Sequence, residues 1–204
     1  MGVRLENAVG KNKLGQNRKP DELRKVLESL WRRGDPADAR AVDRVVRANR
    51  ARLEPRPEFL SAPDGVWLRT ALDDDEAPAA AALLEGQYWL KDMTLDRIAR
   101  AHTGSSAWVG AEDAATGKLI GTARSLSDGA RVGWIYDVAV AADQRGKGIG
   151  KALVRPILDH PAVRDAKKIM LGTRDAMTLY EQFGFAITPS PLSTSGANLM
   201  TLLR

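Results

Sequence analysis

The chain has 204 residues, 44% of them hydrophobic and 28% charged, with 31 Lys/Arg against 26 Asp/Glu for a net charge of +5. That length suits one ordinary domain with an appendage, and the absence of cysteine excludes a disulfide framework, a thiolate metal site and an acyl-cysteine intermediate. No apolar run approaches the roughly 20 residues that cross a bilayer, and Met1 to Glu6 lacks the apolar segment of a secretory leader, so a cytoplasmic protein with no membrane partner is expected.

The charge divides the chain into two expected parts, a basic helical extension over residues 1–60 and a larger domain over 61–204. Residues 1–60 hold 15 Lys/Arg against 9 Asp/Glu, a net of +6, and the rest hold 16 against 17. Pro55, Pro57, Pro63 and Asp64-Gly65 form the breaker-rich boundary. Leu23, Val26, Leu27, Leu30 and Trp31 follow amphipathic helical spacing, entered at Pro20-Asp21-Glu22 and stopped at Gly34-Asp35-Pro36. A second helix is expected from about Ala37 to Ala51, with Val42, Val45 and Val46 inward. The pair reads as a helical hairpin packed on the larger domain. A nucleic-acid-binding helix-turn-helix would account for Arg32, Arg33, Arg40, Arg44, Arg47, Arg50 and Arg52, but these alternate with Glu28, Asp35, Asp38 and Asp43, and a mixed surface binds phosphate poorly. Lys13 to Arg18 and Arg33 to Asp38 resemble the C-terminal tail of FMN-binding split-barrel proteins, but the flavin-binding barrel has no counterpart and FMN is not inferred.

From Val66 the elements alternate. Val66 to Arg69 reads as a strand, Glu76 to Leu84 and Leu95 to His102 as helices, and Ala107 to Glu112 with Leu119 to Ser125 as a hairpin around the polar turn Asp113 to Gly117. Trp134 to Val140 reads as a central strand, Gly148 to Leu158 as the helix after it, and Lys168 to Leu171 as the next strand. Ala176 to Gln182 is the last helix, with Phe185 to Thr188 and Leu199 to Leu203 as closing strands. The alternation predicts an α/β (α+β) domain, a mixed sheet covered by helices on both faces. Leu199 to Leu203, as an exposed edge, would let two copies pair into a homodimer.

The most specific stretch follows the central strand: Arg145-Gly146-Lys147-Gly148-Ile149-Gly150-Lys151 opens a helix. The first amides of a helix lack intrahelical partners and sit at the positive end of its dipole, so anions collect there. Glycines allow the backbone to approach a diphosphate, and Arg145, Lys147 and Lys151 add charge. A Walker A loop is excluded, because Gly150-Lys151 has Arg145 five positions earlier and Ala152 after it. The dinucleotide fingerprint is excluded because the third glycine comes one residue early.

Arg145, Gly148 and Gly150 match the Arg/Gln-x-x-Gly-x-Gly/Ala signature, and the chain thereby resembles the GNAT superfamily of acetyl-CoA-dependent N-acyltransferases. Ala176 to Phe185 resembles the family's late helix, which carries a tyrosine and ends in a Gly-Phe turn. Uncharacterised members are resembled more closely still, through Arg124, Asp128, Asp137-Val138, His160-Pro161 and Thr173-Arg174-Asp175-Ala176. The resemblance implies a mostly antiparallel sheet whose central strands splay apart, with acetyl-CoA as cosubstrate and no metal. Val138, Ala139 and Val140 would line its pantetheine arm through their backbone, and the amides of Arg145, Gly146, Lys147, Gly148, Ile149, Gly150 and Lys151 would hold its pyrophosphate. Thr173 stands where many members place a cofactor-binding Asn; its hydroxyl substitutes, or Arg174 and Asp175 cap the last helix.

Transfer of acetyl to an amine needs a neutral amine, a polarised thioester and a proton for the departing thiolate. Tyr180 falls on the family's tyrosine and is the expected general acid, with a packed aromatic as the alternative. Asp137 is the central strand's only carboxylate, but alternation turns it away from Tyr136 and Val138 unless the strand bulges. Trp134 and Tyr136 occupy positions where members often carry the base. The base is therefore Asp137 through a bulge, a water chain, or Asp128; Arg124 and Asp128 equally fit a structural ion pair. Trp89, Arg124, Asp128, Trp134 and Tyr136 are expected around the acceptor. Asp73 to Glu76 would attract a polyamine or merely suit a helix N-terminus, and Trp67, Trp89, Trp108 and Trp134 form an aromatic pocket or ordinary core. His102 and His160 lack metal-ligand spacing. The expected activity is N-acetylation of a small amine or a peptide amino group. The competing reading is a noncatalytic acyl-CoA-binding regulatory module whose N-terminal helices contact nucleic acid or protein.

Overall fold

The computed structural model describes residues 14–189 and 196–204, so the readings of Met1 to Glu6 and of Lys13 lie outside it. α1 (Pro20–Arg33) begins where Glu22 reaches back to the Lys19 amide, and ends at Gly34, whose φ of 73° lets its N–H return to the Leu30 carbonyl. Its buried stripe is Leu23, Leu27 and Trp31. α2 (Asp38–Asn49) stops earlier than expected, because Arg50–Arg52 tighten into a 3-10 turn. Asp38 ties the two helices together, accepting from Arg33 Nη2 at 2.5 Å and from the Asp35 amide at 2.9 Å. The Arg33 to Asp38 stretch is thus a helix–helix turn.

β1 (Val66–Arg69) is followed by α3 (Ala77–Ala82) and α4 (Leu95–Thr103), then by β2 (Ala107–Asp113), β3 (Leu119–Ser127) and β4 (Val132–Val140). α5 (Ile149–Asp159), β5 (Lys168–Thr173), α6 (Met177–Glu181), β6 (Ala186–Ile187) and β7 (Asn198–Leu203) complete the order. α3 is shorter than the expected Glu76 to Leu84: Asp74–Glu76 form a 3-10 turn closed by Asp73 and Glu76, and the chain leaves the helix through turns that reach Gly86 at φ 75°. The strands form one seven-stranded sheet in the order β1-β2-β3-β4-β5-β7-β6. Every pairing is antiparallel except β4 with β5. Leu199 to Leu203 is an edge only in part: β7 lies between β5 and the two-residue β6, which pairs with Met200 and Thr201, while Leu203 stays exposed.

Two features of β4 shape the centre of the sheet. It pairs with β5 only from Val132 to Trp134, so the two strands part beyond Trp134. It also bulges against β3, where Thr122 faces Ala139 and Arg124 faces Tyr136, leaving Asp137 and Val138 opposite Ala123. Asp137 takes a φ of 53°, the left-handed region that Asp tolerates better than most residues. Ile135 accordingly joins the core beneath α5 while Ala139 joins a cluster built by α3 and α4. In an unbroken strand the two would share a face.

The main core is continuous from the N-terminal helices to the sheet: Leu23, Leu27, Trp31, Val42 and Val46 pack in one cluster with Leu153, Ile157 and Ile169. Each such side chain contributes about 1.5–3 kcal/mol on burial. Trp31 stacks on Phe59 at 4.4 Å and donates to Asp159 at 2.6 Å. Beneath β1, Arg69 binds Asp43 of α2 at 2.9 Å and Glu76 at 2.9 Å. Arg50 pairs with Glu112, Arg40 with Asp73, and Arg47 with Asp73 and Glu76, while Arg52 donates to the Gln16 carbonyl at 2.6 Å. Asp73 and Glu76 thus anchor Arg40 and Arg47 of α2.

Candidate active site

The parting of β4 and β5 opens into a cavity of about 550 Å³. Trp134, Tyr136, Asp137 and Val138 line it from β4, Leu171 to Thr173 from β5, Tyr180 from α6, and the Tyr88–Leu90 turn covers it, with Arg124 reaching in from β3. The bulge brings Tyr136 and Asp137 to the same cavity, the condition under which Asp137 could serve there.

Asp137 is held on both oxygens. Arg124 Nε donates to Oδ2 at 2.5 Å and the Trp89 indole N–H donates to Oδ1 at 3.1 Å. The Arg124 guanidinium lies 4.7 Å from the centre of the Tyr136 ring, which stacks on Trp134 at 5.7 Å. Asp128 is elsewhere: its Oδ1 accepts the amides of Ala130, Arg131 and Val132 in the β3–β4 turn, and these bonds hold its carboxyl below the usual range. Asp128 is absent from the cavity lining, and the partner of Arg124 is Asp137, not Asp128. Asp128 is spent on its own turn, which rules out the alternative of an Arg124–Asp128 ion pair.

Tyr180 is 7% exposed and packs edge-on against Phe185 at 5.9 Å. Burial, with Tyr88 and Asp175 nearby, pushes its phenol well up from 10, so it stays protonated at any working pH. Its hydroxyl has no hydrogen-bond partner among the described residues. Thr173 is buried and its hydroxyl accepts the Ala176 amide at 3.1 Å in the turn before α6, whose N-cap, Ala176, has no side-chain cap bond. Arg174 instead stacks 4.0 Å over Tyr88 and donates its amide to the Tyr88 hydroxyl at 3.2 Å. Of the tryptophans, Trp67 and Trp108 are core while Trp89 and Trp134 face the cavity. The adjacent pair Tyr88-Trp89 was the signal for this cover; the cavity-facing Arg174 carried none, because helix capping explained it.

The glycine loop follows β4 after a 3-10 turn over Ala142–Gln144. Gly146 and Gly148 have φ of 77° and 81°, and Gly148 is the N-cap of α5. A Cβ at Gly146 would meet nothing within 4 Å, and one at Gly148 only Pro63 at 3.7 Å. Arg145 Nε donates to the Val140 carbonyl at 3.2 Å and Lys147 to Gln144 at 2.9 Å. Ala139, Val140 and the loop from Arg145 to Lys151 lie outside the cavity lining. The Ala139 side chain is buried in the α3–α4 cluster, so only its backbone is left to meet a ligand.

Behind the cavity, buried His102 has Nδ1 2.9 Å from the Ile98 carbonyl and Nε2 3.2 Å from the Thr122 hydroxyl, which also accepts the Trp108 indole at 2.9 Å. A carbonyl only accepts, so Nδ1 carries the proton and Nε2 accepts from Thr122. Burial pushes the imidazole down from 6.5 and keeps it neutral. Among the described residues no group of His, Cys, Asp or Glu could hold a metal ion, and no helix is long and apolar enough to cross a membrane.

Comparison with known proteins agrees with this layout. The chain is 33% identical over 112 residues to the chloroplastic GCN5-related N-acetyltransferase 2 of Arabidopsis thaliana, covering 53% of this chain and 43% of that one. It is 29% identical over 187 residues to mycothiol acetyltransferase of Saccharomonospora viridis, covering 76% and 60%. The chain thus spans about half the length of the curated relatives it matches. Among solved structures, a GNAT-family protein of Xanthomonas campestris pv. campestris superposes with a TM-score of 0.53 at 30% identity, over 66% of this chain and 92% of that one. The Salmonella typhimurium protein yncA, solved with its cofactor acetyl-CoA, shares the fold with a TM-score of 0.53 at 18% identity, over 68% and 93%. A family model matches residues 54–185, and by that match the chain belongs to the acetyltransferase (GNAT) family.

Proposed function

We propose that the protein is an N-acetyltransferase that moves the acetyl group of acetyl-CoA to a primary amine by direct attack. The observation that carries this reading is the three-residue contact of β4 with β5: it leaves a wedge between two strands, with Tyr180 at its wall and a glycine-cradled helix N-terminus at the end of β4. Strand backbone freed by the parting can bond the pantetheine amides through Val138 and Val140. The loop amides, with Arg145, Lys147 and Lys151 around them, suit the pyrophosphate.

In the reaction the amine nitrogen attacks the thioester carbonyl carbon, the C–S bond breaks, and the thiolate takes a proton. Tyr180 supplies that proton, its residue lining the cavity and its hydroxyl lacking a competing partner among the described residues. The proton lost by the amine passes to Asp137, directly or through one water, with Arg124 and Trp89 fixing the carboxylate. The Tyr136–Trp134 stack lines the acceptor side. A small amine and a peptide amino group both suit a cavity of about 550 Å³.

The test is thiol release from acetyl-CoA with an amine panel, wild type against Tyr180→Phe. Loss of a general acid is worth about 10²–10⁴ in rate, so kcat is expected to fall at least about 10²-fold while acetyl-CoA still raises the unfolding temperature. An unchanged kcat would remove Tyr180 from the reaction, and no thermal shift with acetyl-CoA would remove the reading itself.

A further inference from the structure

The Arg124 guanidinium is only partly used by the fold. Its Nε binds Asp137, and its planar face covers Tyr136. Nη1 and Nη2 have no hydrogen-bond partner among the described residues, yet neither belongs to the buried polar atoms that lack one, so both meet open space. The residue as a whole is 9% exposed and lines the central cavity. The open space its two terminal nitrogens meet is therefore that cavity. A guanidinium presents two parallel N–H groups at its end, spaced to fit the two oxygens of a carboxylate or phosphate.

The surrounding charge supports the same view. Arg124 and Arg174 line the cavity together with Asp137 and Asp175, a balanced set. A simple cationic amine would satisfy the carboxylates and leave the forked end of Arg124 unmatched. A molecule carrying both an amine and an oxyanion would match both signs. The pairing to Asp137 also orients the fork: with Nε fixed at 2.5 Å and the plane stacked on Tyr136, the end of the guanidinium has little freedom.

We infer that the acceptor is an amine that also bears an oxyanion, a carboxylate or a phosphomonoester, clamped end-on by Nη1 and Nη2 of Arg124. This inference rests on the acetyltransferase reading and names its substrate class. It makes Arg124 a specificity-determining residue.

The experiment uses the full chain, acetyl-CoA and matched acceptors, reading free thiol. The carboxylate pair is leucine against leucinamide, with isoamylamine as the compound lacking the group altogether. The phosphate pair is phosphoethanolamine against ethanolamine. Expected is a kcat/KM at least on the order of 10²-fold higher for the anionic member of one pair, because a site built around a charged hydrogen bond rejects the analogue that lacks it; which pair responds tells carboxylate from phosphate. Arg124→Lys keeps the charge without the fork, and Arg124→Gln removes both. In each the ratio is expected to drop below about tenfold, chiefly through KM, while the thermal shift with acetyl-CoA is retained. The wild-type arm decides even if neither variant folds. Equal or faster turnover of the uncharged members would overturn the inference, as would variants that keep the ratio. So would a panel with no turnover while acetyl-CoA still raises the unfolding temperature. Absence of that thermal shift would overturn the acetyltransferase reading instead, so the two failures are told apart.

Discussion

Replacing Arg69 by Met tests what binds the N-terminal helices to the sheet. Arg69 is 3% exposed, and its guanidinium meets Asp43 at 2.9 and 3.1 Å, Glu76 at 2.9 Å through each terminal nitrogen, and Glu112 at 3.4 Å. Met fills much of the same volume, so the loss is mainly electrostatic. Glu112 keeps Arg50, and half-buried Glu76 keeps Arg47 at 3.6 Å. Asp43, 4% exposed, keeps only the Thr70 amide at 3.0 Å among the described residues. One orphaned buried carboxylate costs about 3–5 kcal/mol, a large part of the 5–15 kcal/mol typical of a domain. Urea unfolding at pH 7, followed by tryptophan fluorescence, reads that cost as a lower midpoint at unchanged slope.

The double variant Arg69→Met/Asp43→Leu removes both charges and is expected to recover more than about 1 kcal/mol over the single one. The pH dependence has a defined sign. Burial pushes the Glu76 carboxyl up, but hydrogen bonds from Arg69 and the Asp73 amide hold it below its ordinary 4.5. Its stabilisation is thus present above pH 4.5 and lost as pH falls through the lower folded value, and Arg69→Met should make that acid limb shallower. A single-variant cost under about 1 kcal/mol, or a double variant no better than the single, would show that Asp43 does not depend on Arg69 for its burial.

Two other substitutions probe the loop and the core. Gly148→Val places a β-branched residue at φ 81° with only Pro63 nearby, so the protein bears strain of about 1–2 kcal/mol; acetyl-CoA binding by calorimetry should weaken at least about tenfold, and unchanged affinity would show that no phosphate rests there. His160 is buried against Trp31, its Nδ1 accepts the Ala162 amide at 3.2 Å, and burial with Arg164 nearby lowers its pKa from 6.5 to about 4. Stability should be greatest above pH 6.5 and fall by about 3 kcal/mol as pH drops from 6.5 to 4. His160→Asn, which retains an acceptor for Ala162, should flatten that slope in urea melts; an equally steep slope would assign the loss to other groups.

What was legible in the sequence followed from local regularity. The Leu23, Leu27, Trp31 stripe announced α1, and Gly34 its end. The run from Trp134 to Val140 announced β4, but its bulge left no mark, because Ile135, Val138, Ala139 and Val140 are apolar on either face and reveal no change of parity. Arg124 and Asp137 meet only through the register of β3 on β4, whereas Asp128 stood nearer in sequence and drew the pairing. Arg69 gave no sign of its role: one arginine in an apolar strand acquires meaning only when three carboxylates from α2, β2 and the α3 entrance converge on it. The excess of arginine in residues 1–60 was countable, but the partners of Arg40, Arg47 and Arg50 lay beyond residue 70.

The continuous core has a consequence for where this protein can be divided. The family match starts at residue 54, after both N-terminal helices, yet the buried core runs across that border. A fragment cut at that border would uncover the apolar ground under Leu27, Trp31 and Val46 and leave Arg69 without Asp43. The hairpin's apolar stripe and its Asp43 share in holding the sheet together, so a cut at residue 54 is a cut through the core.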